Sequence, residues 1–394
     1  MLIYLEAILC SIFFLKEAWR LYNISNPIIN HWALPIIILL YIFSFFSIFI
    51  PPLFYKESNI TKINLSFLIA IIFAIIFRFC VARNIAWQGY MSDSIAFTHY
   101  SAELFLDGKN PYLYSMKPTY NRFNIPPKHI TLRYDGTTED KITYPALNFM
   151  LIAPFVKMGI KDIRVVMYFL HIIAILLLFL YIKRDYSILF ITGLCMLEGM
   201  TNLTAGGNTD IVWLILLLFL VPYFNKTILA GVLLGMACSF KQTPWILLPF
   251  FCIEYYKNFG IKRPLQFIAI VMLTFLSLNL PFMIHNFSSW FDAITAPFLG
   301  GQIMYGCGLN ILSQSSVVNW DKNVYTFLFI VVFFTLVIIQ IKIKEKSRYI
   351  FWFFPAICLY FSYRSLVNYY CYWFILTGLQ WFLDEKYKAP HIIS

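Results

Sequence analysis

Long apolar runs alternate with short polar breaks along nearly the whole chain. A helix needs about 20 apolar residues to cross a bilayer. Runs of that order lie near residues 33–55, 62–82, 165–182, 208–224, 264–284 and 324–343. Shorter ones, at 1–15, 186–200, 227–240, 244–257, 349–363 and 367–383, are separated by polar turns that still demand a crossing. The pattern therefore predicts an all-α, polytopic transmembrane helix bundle of about twelve spans, one membrane-embedded domain over residues 1–394. Leu2 to Leu15 carries Glu6 and meets Lys16 without the small residues of a cleavage site, so it reads as a retained first helix.

One stretch breaks the rhythm. Residues 84–143 form a long polar segment, expected to lie outside the spans as an extracytoplasmic loop. The apolar run after it, "YPALNFMLIAPFVKM" from Tyr144 to Met158, is short and carries Pro145 and Pro154. Proline removes a helical hydrogen bond and bends the chain, which predicts a juxtamembrane or re-entrant helix over 144–159.

Composition narrows the class. The chain is 60% hydrophobic and only 12% charged, against about a quarter charged in a soluble domain, which excludes a water-soluble fold. The net charge of +11 is spread as small clusters between apolar runs, not as a basic stripe, so no nucleic-acid partner is indicated. Eight cysteines stand singly, with no CxxC pair, and suggest neither a disulfide framework nor a zinc site. No metal site is expected at His99, His129 or His285, which lack ligand spacing and an acidic neighbour.

Basic residues mark cytoplasmic turns. Lys56/Lys62, Lys183/Arg184, Lys226, Lys257/Lys262/Arg263, Lys342 to Arg348 and Lys386/Lys388 can all share that side, provided the run from Tyr144 does not cross. The polar segments with candidate chemistry then share the opposite face: the loop 84–143, "AGGNTD" ending at Asp210, "FKQTP" with Lys241, the loop from His285 to Asn323, and "YRSLVNYY" with Arg364. Arg78, His171, Glu198 and Glu254 lie within apolar runs, close enough to their ends for the side chains to reach polar surroundings.

Within the long loop, "SDSIAFTHYSAELFLDG" predicts a helix with Asp93 or Ser94 as its cap, an apolar side at Ile95, Ala102, Phe105 and Leu106, and Gly108 at its end. "NPY" at Asn110 to Tyr112 then turns the chain, and tyrosines follow that suit either sugar stacking or the bilayer interface.

The order of Asp93, Phe97, Ala102, Leu106, "DGKNPY" and "YPAL" resembles the "D…Y…A…L.G..PY … YPPL" pattern of GT-C superfamily glycosyltransferases. "GGNTDIVWLILLL" and "LAGVLLGMACSFKQTPWILLPF" are similar to further segments of the polyprenyl-phosphate-mannose-dependent mannosyltransferase subgroup, so the likeness runs from about Asp93 to Phe250. "GLN" at Gly308 to Asn310 and the terminal "R…NYY" extend it weakly. The chain departs from the pattern at "YPAL" and at Asn208, where glutamine is usual.

The resemblance implies an inverting hexosyltransferase that moves mannose from a polyprenyl-phosphate donor to an extracytoplasmic lipid or glycan acceptor, among membrane lipids. Asp93 would be the general base, and Lys241 and Arg364 would hold the lipid phosphate. Asn208 and Asp210 would position a sugar hydroxyl or Lys241, and Tyr144 and Tyr112 would line the substrate site. No cofactor is required beyond the donor, and dependence on a divalent metal stays open. The membrane would be a plasma membrane in a prokaryote and the endoplasmic reticulum in a eukaryote. Asp93 has a second reading as a plain helix cap, and the chain a second reading as a transporter or lipid flippase, although it shows no two matching halves.

Overall fold

The computed structural model describes residues 2–25, 31–50, 53, 60–182, 184–196, 198–299, 301–343 and 349–388. Of the basic turns, Lys56, Lys183 and residues 344–348 lie outside this set, as do the side chains of Arg184, Glu198, Lys386 and Lys388. The described chain is mostly helical, and a helix occupies each of the twelve apolar runs. Among the described residues four helices are long and apolar enough to cross a membrane: Ile60–Ile85, Arg164–Tyr181, Lys262–His285 and Lys322–Lys342. A fifth candidate is the pair Tyr186–Cys195 and Met200–Gly206, bent by 53°. Shorter apolar helices include His31–Ser47, Ile211–Tyr223, Thr227–Phe240, Tyr349–Tyr360 and, in the segment expected to re-enter, Leu147–Lys157.

By their contacts the helices group into two compact units. The first comprises Met1–Met91 and Arg164–Gly207. Its opening helix runs from Leu2 to Ser25, well past the expected end at Leu15. The extension buries Glu17, which accepts from Arg78 Nη1 at 2.7 Å and Arg20 Nη1 at 3.0 Å. Arg78 also donates to Asn202. Arg78 is only 2% exposed, so its guanidinium turns inward to this pair and does not reach out of the apolar run as expected. A buried pair of this kind forms because an unpaired charge in an apolar interior costs several kcal/mol. His171 is likewise enclosed, with Nδ1 3.1 Å from Thr204 Oγ1.

The second unit comprises Ser92–Ile163 and Asn208–Ser394. Its core is aromatic: Trp213 packs on Trp373 with ring centroids 4.9 Å apart, and Phe251 stacks on Phe267 at 5.4 Å. Helix Thr227–Phe240 lies tight against Lys262–His285, since a Cβ on Gly235 would come within 2.7 Å of Thr274. Buried Asn279 accepts from the Ala146 N–H at 3.0 Å and from Trp290 Nε1 at 3.2 Å, which ties the short helices after Tyr144 to the bundle.

The helices of this unit have two distinct ends. Lys257 donates to the carbonyls of Gln340 and Ile343, and Arg263 Nη1 lies 3.2 Å from Thr227 Oγ1. The turns around Lys226, Lys257 to Arg263 and Lys342 therefore gather at one end. Asp210, Lys241 and Arg364 stand at the other, at the start or finish of helices Ile211–Leu220, Thr227–Phe240 and Tyr349–Tyr360. Glu254, near the basic end, is buried and accepts from Gln340 Nε2 at 3.0 Å, so it too is satisfied inside the bundle.

Candidate functional site

The long polar segment begins with a helix, Asp93–Leu106, that stops where Gly108 takes φ +72°. Its cap is neither Asp93 nor Ser94. Ser92, in extended conformation, accepts from the Ser94 N–H at 3.1 Å, so Asp93 is the first helical residue. That leaves the Asp93 carboxylate for a distant partner, and its Oδ2 accepts from the Thr131 N–H at 2.7 Å. The helix is buried on more sides than expected, for Ala96, Thr98, His99 and Ser101 are covered along with Ile95 and Ala102, while Leu106 is exposed. Thr98 Oγ1 donates to Asn148 Oδ1 at 2.6 Å, fixing the helix to the short helix after Tyr144. His99 does have an acidic neighbour, Glu103 at 3.6 Å, but Glu103 is held by Arg122, and no group of three metal-ligating residues occurs among the described residues.

Asp93 lines a cavity of about 190 Å³ within the second unit. Lys241, Arg364, Asn208 and Tyr144 line the same cavity, although up to 271 residues of sequence separate them (364 less 93). Asp210 is wholly buried behind it. The Asp210 carboxylate accepts from Lys241 Nζ, from Asn368 Nδ2 and, at 3.0 Å, from Trp213 Nε1. Its own N–H donates to Asn208 Oδ1 at 2.7 Å, a turn that aims Asn208 at the cavity. The Lys241 ammonium sits 5.3 Å over the Tyr144 ring and 5.7 Å over the Tyr369 ring, within range of cation–π attraction.

The charge state follows from these neighbours. Burial pulls the Lys241 pKa down, but Asp210 and the two phenols outweigh it and push the value above the ordinary lysine range, so Lys241 stays cationic. Burial raises Asp93 above its ordinary 3.8; the Thr131 hydrogen bonds and the nearby Arg364 charge oppose the shift without cancelling it. A carboxylate with a raised pKa holds a proton more readily, which is the direction a general base needs.

Arg364 is set by a small sheet that roofs the cavity. Tyr305–Gly306 pairs in parallel with Arg364–Ser365, and Arg364 Nη1 donates to the Ile303 carbonyl at 3.2 Å. Gly306, at φ +134°, is required there because a Cβ would collide with the Ser365 backbone. Leu132 and Thr138 bridge within the long loop, and Arg133 bridges to Gln302. Three polar segments far apart in sequence thus interlock above the site.

Tyr112 lies elsewhere than expected. It is buried outside the cavity wall and donates its hydroxyl to the Tyr144 carbonyl at 2.8 Å, so it supports Tyr144 from behind. Sequence reasoning also passed over Glu139, Gln302, Asn368 and Tyr369, all of which line the cavity. Asn368 and Tyr369 belong to the "NYY" that the family pattern had marked. Glu139 Oε2 accepts from Gln302 Nε2 at 2.9 Å and from Arg133 Nη1 at 3.4 Å. In sequence it is only one charge in a mixed polar run.

No family model, curated protein or solved structure matches the chain.

The cavity wall mixes two kinds of side chain: Asp93, Glu139, Lys241 and Arg364 are charged, and Ile246, Phe298, Phe329 and Leu359 are apolar. Such a space can take a ligand with an anionic, hydrogen-bonding head and a hydrocarbon body.

Proposed function

We propose that this chain is a membrane-embedded inverting glycosyltransferase, using a polyprenyl-phosphate hexose as donor and an extracytoplasmic lipid or glycan as acceptor. The observation that carries the reading is the cavity itself, whose lining combines Asp93 and Glu139 with two cations, Lys241 and Arg364, and several apolar side chains. A sugar phosphate on a long isoprenoid has that same combination of chemistry. The hexose is mannose by resemblance to the polyprenyl-phosphate-mannose-dependent enzymes of the GT-C superfamily.

In this reading the Asp93 carboxylate takes the proton from an acceptor hydroxyl as its oxygen bonds to the anomeric carbon. The bond from that carbon to the phosphate oxygen breaks, and the pair of electrons leaves on the lipid phosphate. Lys241 and Arg364 stabilise the phosphate, Lys as a point charge and Arg through its planar fork. Asp210 and Asn368 keep the Lys241 ammonium charged and aimed, which lowers the cost of ordering it on binding. Asn208 and Glu139, both on the cavity wall, hold sugar hydroxyls in this reading. The chain crosses the bilayer about twelve times in this proposal, with its basic turns in the cytoplasm and the cavity on the opposite side.

The test is transfer by the purified protein. With a radiolabelled β-mannosyl polyprenyl phosphate and a panel of lipid and oligosaccharide acceptors, labelled product of inverted anomeric configuration is expected. Failure to transfer from mannosyl, glucosyl and galactosyl donors alike, in protein that is folded and lipid-supplied, would sink the reading.

A further inference from the structure

The geometry points to a saccharide-binding groove on the outer side of the long loop, separate from the cavity and joined to it at Glu139. This deepens the transferase reading and rests on it only for the groove's role, not for its ligand. The segment from Thr131 to Glu139 folds back on itself, bridged at Leu132 and Thr138. Thr131 and Glu139 line the cavity with Asp93. The same hairpin borders a second hollow of about 560 Å³, closed on its other side by helix Phe287–Leu299. That volume lies within the roughly 300–1,000 Å³ of small-molecule sites.

The walls decide what fits. Lys117, Lys141, Asp140 and Asp292 bring both signs of charge, Thr295 brings a hydroxyl, and Phe291 brings an aromatic ring, the residue 43% exposed. A single-sign wall would select a phosphate, and an apolar one a lipid chain. Donors and acceptors together beside a ring suit a neutral oligosaccharide, whose hydroxyls both donate and accept and whose C–H faces stack on aromatic rings.

The link to Asp93 is short. Glu139 donates its backbone N–H to the Thr131 carbonyl at 2.8 Å, and Thr131 donates its own N–H to Asp93 at 2.7 Å. One residue of backbone therefore separates the groove's inner wall from the carboxylate. Glu139 lines both spaces, and in this inference the groove holds the outer residues of an acceptor saccharide of more than one residue.

The experiment is direct binding to the full chain in detergent. α-Mannotriose, cellotriose and chitotriose serve as probes, read by saturation-transfer NMR, with polyprenyl phosphate binding measured alongside. At least one trisaccharide is expected to bind, and its affinity to fall about tenfold or more in Thr295→Trp and in Ala296→Trp, which fill the groove. Asp292→Ala, an exposed change that does not threaten folding, is expected to weaken the same probe. Polyprenyl phosphate binding should be unaffected by all three. If none of the trisaccharides binds, or binding survives all three substitutions, the groove assignment is overturned. Trisaccharide binding that behaves as expected in a protein that ignores polyprenyl phosphate would support the groove while removing the donor reading.

Discussion

Each unit of this chain buries an ion pair among apolar helices, and the two pairs differ in what they face. In the first unit Glu17 and Arg78, 1% and 2% exposed, close on each other and on Arg20 and Asn202. In the second, Asp210 is sealed, but its partner Lys241 lines a cavity between two tyrosine rings. Burial of charge in an apolar bundle is therefore not a mark of function by itself. A pair closed on itself fixes a fold, whereas a pair with one open member offers a charge to a ligand, with its positioning already built.

The largest expected effect on catalysis lies at Asp93. Asp93→Asn should lower transfer by about a thousandfold, within the range for loss of a positioned base. The sign of its effect on stability is opposite. A carboxyl whose pKa is raised on folding stabilises the fold only below its unfolded value, and that contribution is lost as pH rises through the folded value. At neutral pH the Asn variant should thus melt no lower than wild type. For the same reason wild-type activity should fall on acidification at a pH above the ordinary range of aspartate, as a pH–rate profile would show. A marked loss of melting temperature in Asp93→Asn would return the residue to a structural role.

Next come the two ion pairs. Lys241→Met and Arg78→Met should each weaken the compensation of a buried carboxylate, at about 3–5 kcal/mol for Lys241→Met and less for Arg78→Met, where Arg20 still faces Glu17. Melting in detergent measures that shared loss. Only the Lys241 variant should also lose affinity for polyprenyl phosphate once the fraction folded is taken into account. Equal losses of affinity in the two variants would erase the distinction between a closed and an open pair.

A smaller effect is expected at Arg364. Arg364→Lys keeps the charge but loses the planar fork, and should raise the donor KM about tenfold with the melting temperature almost unchanged. Smallest of all is Ser92→Ala, which removes the cap of the Asp93 helix and should cost about 1 kcal/mol with transfer retained. Activity that follows Ser92 more closely than Asp93 would show the helix start to matter for its geometry alone.

The helices were legible because hydrophobic length is a strong signal in a chain with so little charge. Their ends were less so. The first apolar run stops at Leu15, yet the helix continues and Glu17 is buried by a partner 61 residues away, which no local pattern announces. The site shows the same limit. Lys241 and Arg364 could be picked out as polar residues at the ends of apolar runs and Asp93 through the family resemblance, and all three line one cavity. Tyr112 could not be told from Tyr144 by spacing, although one supports the wall and the other forms it. Glu139 and Gln302 meet only because the hairpin and a distant loop pair across the roof, a long-range event that leaves no trace in either segment alone.

The most direct measurement is photo-crosslinking of a polyprenyl-phosphate hexose that carries a diazirine in its first isoprene units. The label is expected on the cavity wall at Ile246, Phe329 and Leu359, to be competed by unlabelled polyprenyl phosphate, to persist in Asp93→Asn and to be lost in Lys241→Met. Label spread over the exposed flank of helix Lys322–Lys342, at Phe327 and Phe334, and undiminished in Lys241→Met would contradict the account.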